Sequence, residues 1–588
     1  MYWVIKELRR VSQSYLRRDG MTRRVNLPTY PEWLNWHISE RKACYQVRGG
    51  GPRLSVLTTV YENTSEDLFL QTGASVLTQS YPNFEWVVLA HGPITAGLND
   101  ILNDLSSEIQ VRVYRLSVNL GIMRGMRFCL ERATGEYIVP LDADDLLTRD
   151  ALQIVASVIT KYGSPAYLYS DEDMLVDGMP TAPYWRPDWD PVLNLASSYI
   201  WHLCAFRRDL ALELGVFQDG GSEWCHDWDT VFRFSNAGHI PLHIPEVLYH
   251  WRQHQSSSTN RPFPERGSLA SQRHLLELQI ARQPEQELYE LDYFPIFRGS
   301  VEWYVRRRHR NGEPMDVLLI ARNVMGARRT LRSIQLTTDY PFRSVIVCVP
   351  ENLDVSERQD LEACGSFLCR EEISDAMATR VHFVANPGLR EVIAAVNSVT
   401  APFVVLCSDA VEVEDGEWPW EALKLMELHQ DVAIVGGRIL DTHGTVVATG
   451  MVFREDGLLV CPEKHRTAGD PGHFALALKP HTVNGASLDF LVADREFLTS
   501  ALNSLPVSAT LACLPMWLGG AALKNGRRVA FSPLINAKVS GPLLAGDCSG
   551  LGGGKEREAF LREYGNSVKS CMWSSQRFVN YQKIYRPS

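Results

Sequence analysis

No run of about 18 apolar residues, the length that crosses a bilayer as a helix, occurs in this chain. No two cysteines stand at CxxC spacing either. The first absence excludes a helical membrane span, and the second removes support for a disulfide framework or a zinc ribbon. The 12 cysteines are read as reduced, mostly buried thiols. Excess positive charge is missing too: 59 Lys and Arg face 69 Asp and Glu, a net −10, so broad binding to nucleic acid has no support. The N-terminus is basic but lacks the apolar core and small-residue cleavage site of a signal peptide. The expectation is a protein made and kept in the cytoplasm.

What is present is ordinary globular composition, 45% hydrophobic and 22% charged, which excludes disorder, collagen and coiled coil for the bulk of the chain. The 588 residues allow about four domains at roughly 150 residues each, or two larger ones with tails. Residues 1–24 carry Lys6, Arg9, Arg10, Arg17, Arg18, Arg23 and Arg24, with Trp3, Ile5, Leu8, Val11 and Leu16 at imperfect helical spacing. Such a helix either lies peripherally on an anionic membrane or docks on its own domain.

From Leu54 the pattern alternates strand and helix: strands over 54–60, 84–89, 111–116 and 137–141, with helices over 68–77 and 125–133. That alternation predicts a mostly parallel α/β sheet with ligands beyond its carboxyl edge. The pattern then recurs. Ser55-Val56-Leu57 has a counterpart in Asp316-Val317-Leu318, and Thr78 to Pro82 in Thr337 to Pro341. Likewise Ile138 to Leu141 lines up with Phe403 to Leu406, and Gly238 to Pro245 with Gly526 to Pro533. Two copies of one domain are the economical reading. The expected organisation is an N-terminal segment 1–52, a first domain 53–265, a charged helical connector 266–312 containing Arg306 to Arg310, a second domain 313–545, and a tail 546–588. The tail opens on a Gly-rich hinge, Gly550 to Gly554, before a helix over 557–564. Lys555 is followed by Glu556, so the hinge is no phosphate loop.

Three clusters carry chemistry. Leu141-Asp142-Ala143-Asp144-Asp145 puts three carboxylates at a strand's end, where they repel one another unless a cation shares them. Alternate side chains can converge on one ion, and oxygen ligands suit Mg²⁺ or Mn²⁺; an acidic loop or helix cap is the alternative. Cys225-His226-Asp227-Trp228-Asp229 opens a helix, where Asp227 is either a general base or an N-cap. His250-Trp251-Arg252-Gln253-His254 has two histidines four apart but no HExxH glutamate, so a histidine and an arginine closing over a diphosphate fit better than zinc.

Together with Thr58-Thr59-Val60-Tyr61-Glu62-Asn63, Gln79 to Glu85, Asn119-Leu120-Gly121 and Ala133 to Ile138, these clusters resemble family 2 glycosyltransferases of GT-A fold. The likeness covers the first repeat. Within the family, order and spacing are similar to bacterial enzymes of O-antigen and surface-polysaccharide synthesis, rhamnosyltransferases among them. The resemblance implies two tandem Rossmann-like GT-A domains and an inverting transfer from a nucleotide-sugar to a glycan hydroxyl, the acceptor being lipid-linked. It implies Asp227 as catalytic base, and Asp144, Asp142 and His254 as ligands of Mn²⁺ or Mg²⁺. Thr59, Tyr61, His91, Asn119, Asp142 and Arg252 would hold the donor. Where the family has Asp-Asp or Asp-Asn after the second strand, this chain has Ala90-His91-Gly92, and a neutral His91 would accept a base N–H instead.

In the second repeat Cys407 falls at the place of Asp142, Asp409 at that of Asp144 and Ala410 at that of Asp145, while Asp227 aligns near Pro515. Gly436 to Asp441 with Gly444-Thr445, and Thr482 to Ala486, still resemble acceptor-side pieces of the family. This copy is read as non-catalytic, against a second active site built on Asp409 with Glu412 or Glu414. Two other functions stay open: a sugar-binding scaffold with both copies silent, and a nucleotidyltransferase. The latter would carry a Gly-rich basic loop after the first strand, which Thr58 to Asn63 does not supply.

Overall fold

A computed structural model describes residues 28–47, 50–253, 266–294, 302–340, 342–349, 353–369, 379–383, 388–454, 456–544 and 554–568. The basic segment 1–24, His254 and the hinge residues Gly550 to Gly553 lie outside them. In the first lobe the strands are β1 (Leu54–Val60), β2 (Phe84–His91), β3 (Val111–Leu116), β4 (Tyr137–Pro140), β5 (Leu146–Leu147), β6 (Tyr167–Val176), β7 (Met179–Tyr184), β8 (Cys204–Arg207) and β9 (Leu242–Gln253). They form one sheet in the order β3-β2-β1-β4-β8-β6-β9-β5, with β7 paired to β6. The crossovers β1 to β2 and β2 to β3 are parallel, and β8 runs antiparallel between β4 and β6. Central strands are buried on both faces because helices cover them, and so are mostly apolar; Val56, Leu57, Trp86, Val87 and Val139 are fully buried.

The connector departs from the helix expected over 266–312. A helix, Arg266–Ile280, is followed by an antiparallel hairpin of β10 (Tyr289–Tyr293) and β11 (Trp303–Arg307). The reason is burial of Tyr304, Val305 and Arg307, which the two-stranded ribbon sets against the second lobe. Arg307 is 2% exposed and pairs with Glu427 at 2.7 Å, while Arg306 on the other face stays open to solvent-facing acids. At the amino end, helix Tyr30–Arg41 docks on the first lobe, so this part of segment 1–52 packs with the lobe that follows it. Arg41 is 3% exposed and lies between Asp150 (2.7 Å) and Glu246 (3.1 Å), and the Tyr30 hydroxyl donates to Asp173.

The second lobe repeats the topology. Its strands are β12 (Met315–Ile320), β13 (Phe342–Val349), β14 (Thr379–Phe383), β15 (Phe403–Ser408), β16 (Val411–Val413), β17 (Val432–Leu440), β18 (Val446–Ala448), β19 (Val452–Phe453), β20 (Leu459–Val460), β21 (His481–Val483), β22 (Phe490–Asp494) and β23 (Arg528–Val539). The sheet order is β14-β13-β12-β15-β22-β17-β23-β16, with β18 on β17 as β7 is on β6. The chain is thus α/β with two tandem Rossmann-like sheets. Residues 554–568 are helical, and Phe560, Tyr564 and Val568 pack into the second lobe's core beside Trp517.

Hydrogen bonds fix the correspondence between the lobes and shift one part of it. Ser75 Oγ accepts the Leu147 N–H in the first lobe, and Ser333 Oγ accepts the Val413 N–H in the second. Strand register agrees, with Leu54 opposite Tyr137 and Met315 opposite Phe403. Ser408 therefore occupies the place of Asp142, Ala410 that of Asp144 and Val411 that of Asp145, one residue later than the sequence alignment puts them. Asp409 corresponds to Ala143, not Asp144. Similar apolar strands slide over one another in an alignment without penalty; paired backbone groups do not.

Candidate active site

The acidic triplet leaves the end of β4 at the carboxyl edge of the sheet, where α/β sheets bind their ligands. Its anchoring begins at the buried end. Asp145 is 1% exposed and accepts the Tyr249 hydroxyl (2.7 Å) and the Arg252 backbone N–H (2.7 Å). Burial and the charges of Asp142 and Asp144 push its pKa well above the ordinary carboxylate range. The Asp142 side chain is 52% exposed and reaches toward His202 Nε2 at 3.6 Å. His202 stacks on the Tyr249 ring (4.6 Å, 11°) and its Nδ1 meets Glu172 at 3.2 Å. Burial alone would lower the His202 pKa; hydrogen bonds and charge from Asp142 and Glu172 outweigh it and raise the pKa well above its usual value. One ligand atom from each of Asp142, Asp145 and His202 lies within 4.8 Å of the others. This O,O,N set suits a divalent ion such as Mn²⁺.

Of the expected ligands Asp142, Asp144 and His254, this grouping contains Asp142, and His254 lies outside the described residues. Asp144 is half-buried, and its backbone carbonyl accepts Arg252 Nε at 2.6 Å. Arg252 is 8% exposed, and Nη1 donates to Gln71 at 2.9 Å. Nη2 has no hydrogen-bond partner among the described residues.

Asp227 is the second residue of helix His226–Asn236 and is half-buried. Its carboxylate receives the Ser198 hydroxyl at 3.5 Å, and Ser198 Oγ accepts Trp201 Nε1 at 3.0 Å. One short loop, 198–202, thus touches the helix-start aspartate at one end and the strand-end aspartate at the other.

Of the other expected donor contacts, Thr59 lies on β1 with its methyl beside Gly125. Tyr61 is 41% exposed, its N–H bonded to Thr64. Asn119 is exposed and accepts the Gly121 N–H through Oδ1. Gly121 sits at φ +75°, a backbone conformation that L side chains rarely adopt, which favours glycine at that turn. His91 is 3% exposed, and burial lowers its pKa. Its Nδ1 accepts the Leu120 N–H at 3.0 Å, so the proton of the neutral ring sits on Nε2. His91 can donate a hydrogen bond to a bound base but cannot accept one there, the reverse of the sequence expectation.

The sequence reading missed Ser170-Asp171-Glu172-Asp173 on β6. All four are at most 1% exposed. Glu172 pairs with Arg186 (2.9 Å), Asp171 with His243 (2.9 Å) and Asp173 with His250. Arg186, 2% exposed, also donates to the carbonyls of Tyr199 (2.7 Å), Ser170 (2.7 Å) and His202 (2.8 Å), which fixes the 198–202 loop. Three consecutive acids inside an apolar strand were the available signal, since such charges are buried only when paired.

The second lobe lacks each of these parts. Ser408, Ala410 and Val411 replace the three aspartates, Pro515 holds the second position of helix Leu514–Lys524 where the first lobe has Asp227, and Ala537 stands opposite Val413 where Tyr249 stands opposite Leu147. Asp409 is closed off by Arg322, whose Nη2 lies 2.8 Å away, and by the Arg322 and Asn323 backbone N–H groups. Glu412 pairs with Arg329 and Glu414 with Lys538.

Residues 55–213 match the family model described as glycosyl transferase family 2. The chain is 30% identical over 464 residues to the uncharacterized protein y4gI of Sinorhizobium fredii, covering 76% of this chain and 48% of that protein. It is 26% identical over 443 residues to the O-antigen biosynthesis protein RfbC of Myxococcus xanthus, covering 74% of this chain and 33% of that protein. Against the putative glycosyltransferase EpsE of Bacillus subtilis it is 30% identical over 281 residues, 45% of this chain and 96% of that protein. The chain belongs to glycosyltransferase family 2. It spans about half or less of the length of the first two relatives. Among the described residues no helix is long and apolar enough to cross a membrane.

Proposed function

We propose that the first lobe is a metal-dependent inverting glycosyltransferase, moving a sugar from a nucleotide-sugar to a hydroxyl of a lipid-linked glycan in surface-polysaccharide synthesis. The observation that carries this reading is the convergence of Asp142, Asp145 and His202 at the sheet's carboxyl edge, joined through the 198–202 loop to Asp227. Asp142 and His202 would hold the ion, with Asp144 beside them and Tyr249 keeping Asp145 in place. When bound, a divalent ion there neutralises charge on the departing nucleoside diphosphate. Arg252, whose Nη2 has no hydrogen-bond partner among the described residues, would supply a fixed cation for the same diphosphate. Asp227 takes the proton from the acceptor hydroxyl as that oxygen attacks the anomeric carbon, so transfer proceeds by one displacement and inverts configuration. The kinship with an O-antigen biosynthesis protein supports the surface-glycan setting. The second lobe is read as non-catalytic, because the three aspartates and Asp227 have been replaced, Asp409, Glu412 and Glu414 are paired with resident cations, and Asp489 is taken up by Ser408, Ser487 and the Leu544 N–H.

The test is Asp227→Asn in the full chain. Thermal shift by nucleoside diphosphate with Mn²⁺ should persist, while glycosyl transfer is lost. Transfer at the wild-type rate in that variant would refute the assignment.

A further inference from the structure

The second lobe sends one segment back into the first. The turn His473–Leu478 lies against β7, and the Phe474 ring stacks on Tyr184 with centroids 3.9 Å apart and planes at 11°. Phe474 and Ala475 hold positive φ values of 47° and 64°, a left-handed backbone that L side chains rarely adopt. The segment is pinned where it leaves: Asp190 accepts the Thr482 N–H (2.6 Å) and hydroxyl (2.8 Å), and Lys479 pairs with Glu302 at 3.0 Å.

Beneath Phe474 the aromatic contacts continue toward the site. Tyr184 meets Trp201 at 5.7 Å, and Trp201 meets Trp251 at 6.1 Å. The Arg186 guanidinium lies over Tyr184 at 4.6 Å and over Trp201 at 5.7 Å. Tyr184 is buried, whereas both tryptophans are half-buried and keep surface open. Trp201 stands one hydrogen bond from Ser198, which touches Asp227, and its neighbour His202 faces Asp142.

A pyranose ring has an apolar C–H face and hydroxyls around its rim. Aromatic faces with a few convergent polar groups are the surface that holds such a ring. We propose that Trp201 and Trp251 form the shelf on which the acceptor's sugar ring stacks beside Asp227, and that Phe474 of the second lobe fixes that shelf through Tyr184. The degenerate lobe thereby positions the acceptor for the intact one. This rests on the transferase reading above for the word acceptor, but the sugar shelf itself does not need it.

The experiment is saturation-transfer NMR on the full chain with methyl β-D-glucopyranoside, methyl α-D-mannopyranoside and methyl α-L-rhamnopyranoside, beside thermal shifts by UDP, GDP and dTDP with Mn²⁺. In the wild-type chain at least one glycoside should receive saturation on its C–H face. Trp201→Ala and Phe474→Ala should weaken that binding about two- to tenfold, the worth of one aromatic contact. Phe474→Tyr should restore it, and the nucleotide shifts should not change in the Phe474 variants. No saturation of any glycoside, or equal saturation in Phe474→Ala, overturns the shelf. Glycoside binding without any nucleotide shift would sink the transferase reading and leave the shelf standing.

Discussion

The two lobes share strand order and core packing, yet their carboxyl edges carry opposite arrangements of charge. In the first, Asp142 is left open to solvent while Asp145 behind it is tied to Tyr249 and Arg252. In the second, an arginine of the chain itself closes over Asp409. The contrast teaches which parts of this fold are constrained by packing and which by chemistry. Even small supports were rebuilt to keep the sheet. Ser55 donates to Glu85 on the neighbouring strand, and in the second lobe the roles exchange, Ser344 donating to Asp316. The backbone N–H groups that Glu85 receives from Thr134 and Gly135 go to Asp316 from Thr400 and Ala401. At the acidic edge one carboxylate remains beside the place of Asp142, Asp489, but it is spent on Ser408, Ser487 and the Leu544 N–H.

Changes that break this comparison can be ranked. Asp227→Asn should cost about 10²- to 10⁴-fold in transfer, the usual worth of a positioned base, whereas Pro515→Ala should leave transfer unchanged; equal losses would erase the distinction between the lobes. Tyr249→Phe strips one donor from buried Asp145 and should destabilise the chain by about 1–3 kcal/mol in denaturant titration while weakening its response to Mn²⁺. In the second lobe Arg322→Ala leaves Asp409 without its cation. The expected loss is about 1–3 kcal/mol, below that of a fully buried pair because 34% of the arginine side chain is exposed. Transfer should not follow that loss; a parallel fall would show that Arg322 serves catalysis.

The smallest effect concerns pH. His243, on β9, is buried between Asp171 and Asp188. Burial lowers its pKa, but the two carboxylates outweigh that and raise it above the ordinary value. A raised folded-state pKa gives stability that is fully present below the unfolded value and is lost as pH rises through the folded one. His243→Gln should therefore lower the melting temperature more below about pH 6 than at about pH 9. The matching place in the second lobe is Phe531, so Phe531→Leu should show no such trend.

Much of this was legible in the chain. β1 and β3 fall where the sequence pattern predicts strands, and the duplication is visible from Ser55 to Leu57 and from Thr78 to Tyr81. The acidic triplet and Asp227 stood out because unpaired carboxylates are costly wherever a strand or helix end is buried. Less legible was the hairpin of β10 and β11, where a run of arginines reads as solvated although Arg307 is buried against Glu427. His202 carried no signal at all, since a lone histidine gains its meaning only from Glu172, Asp142 and the Tyr249 ring around it.

Periodicity and local charge, which are properties of neighbouring residues, were enough to determine the class of sheet, its duplication and the strand end that bears the acids. Register between the lobes, the proton position on His91 and the reach of Phe474 into the first lobe were decided only in three dimensions. Each of those depends on which backbone group or ring lies opposite, often hundreds of residues away, and no local pattern encodes that distance.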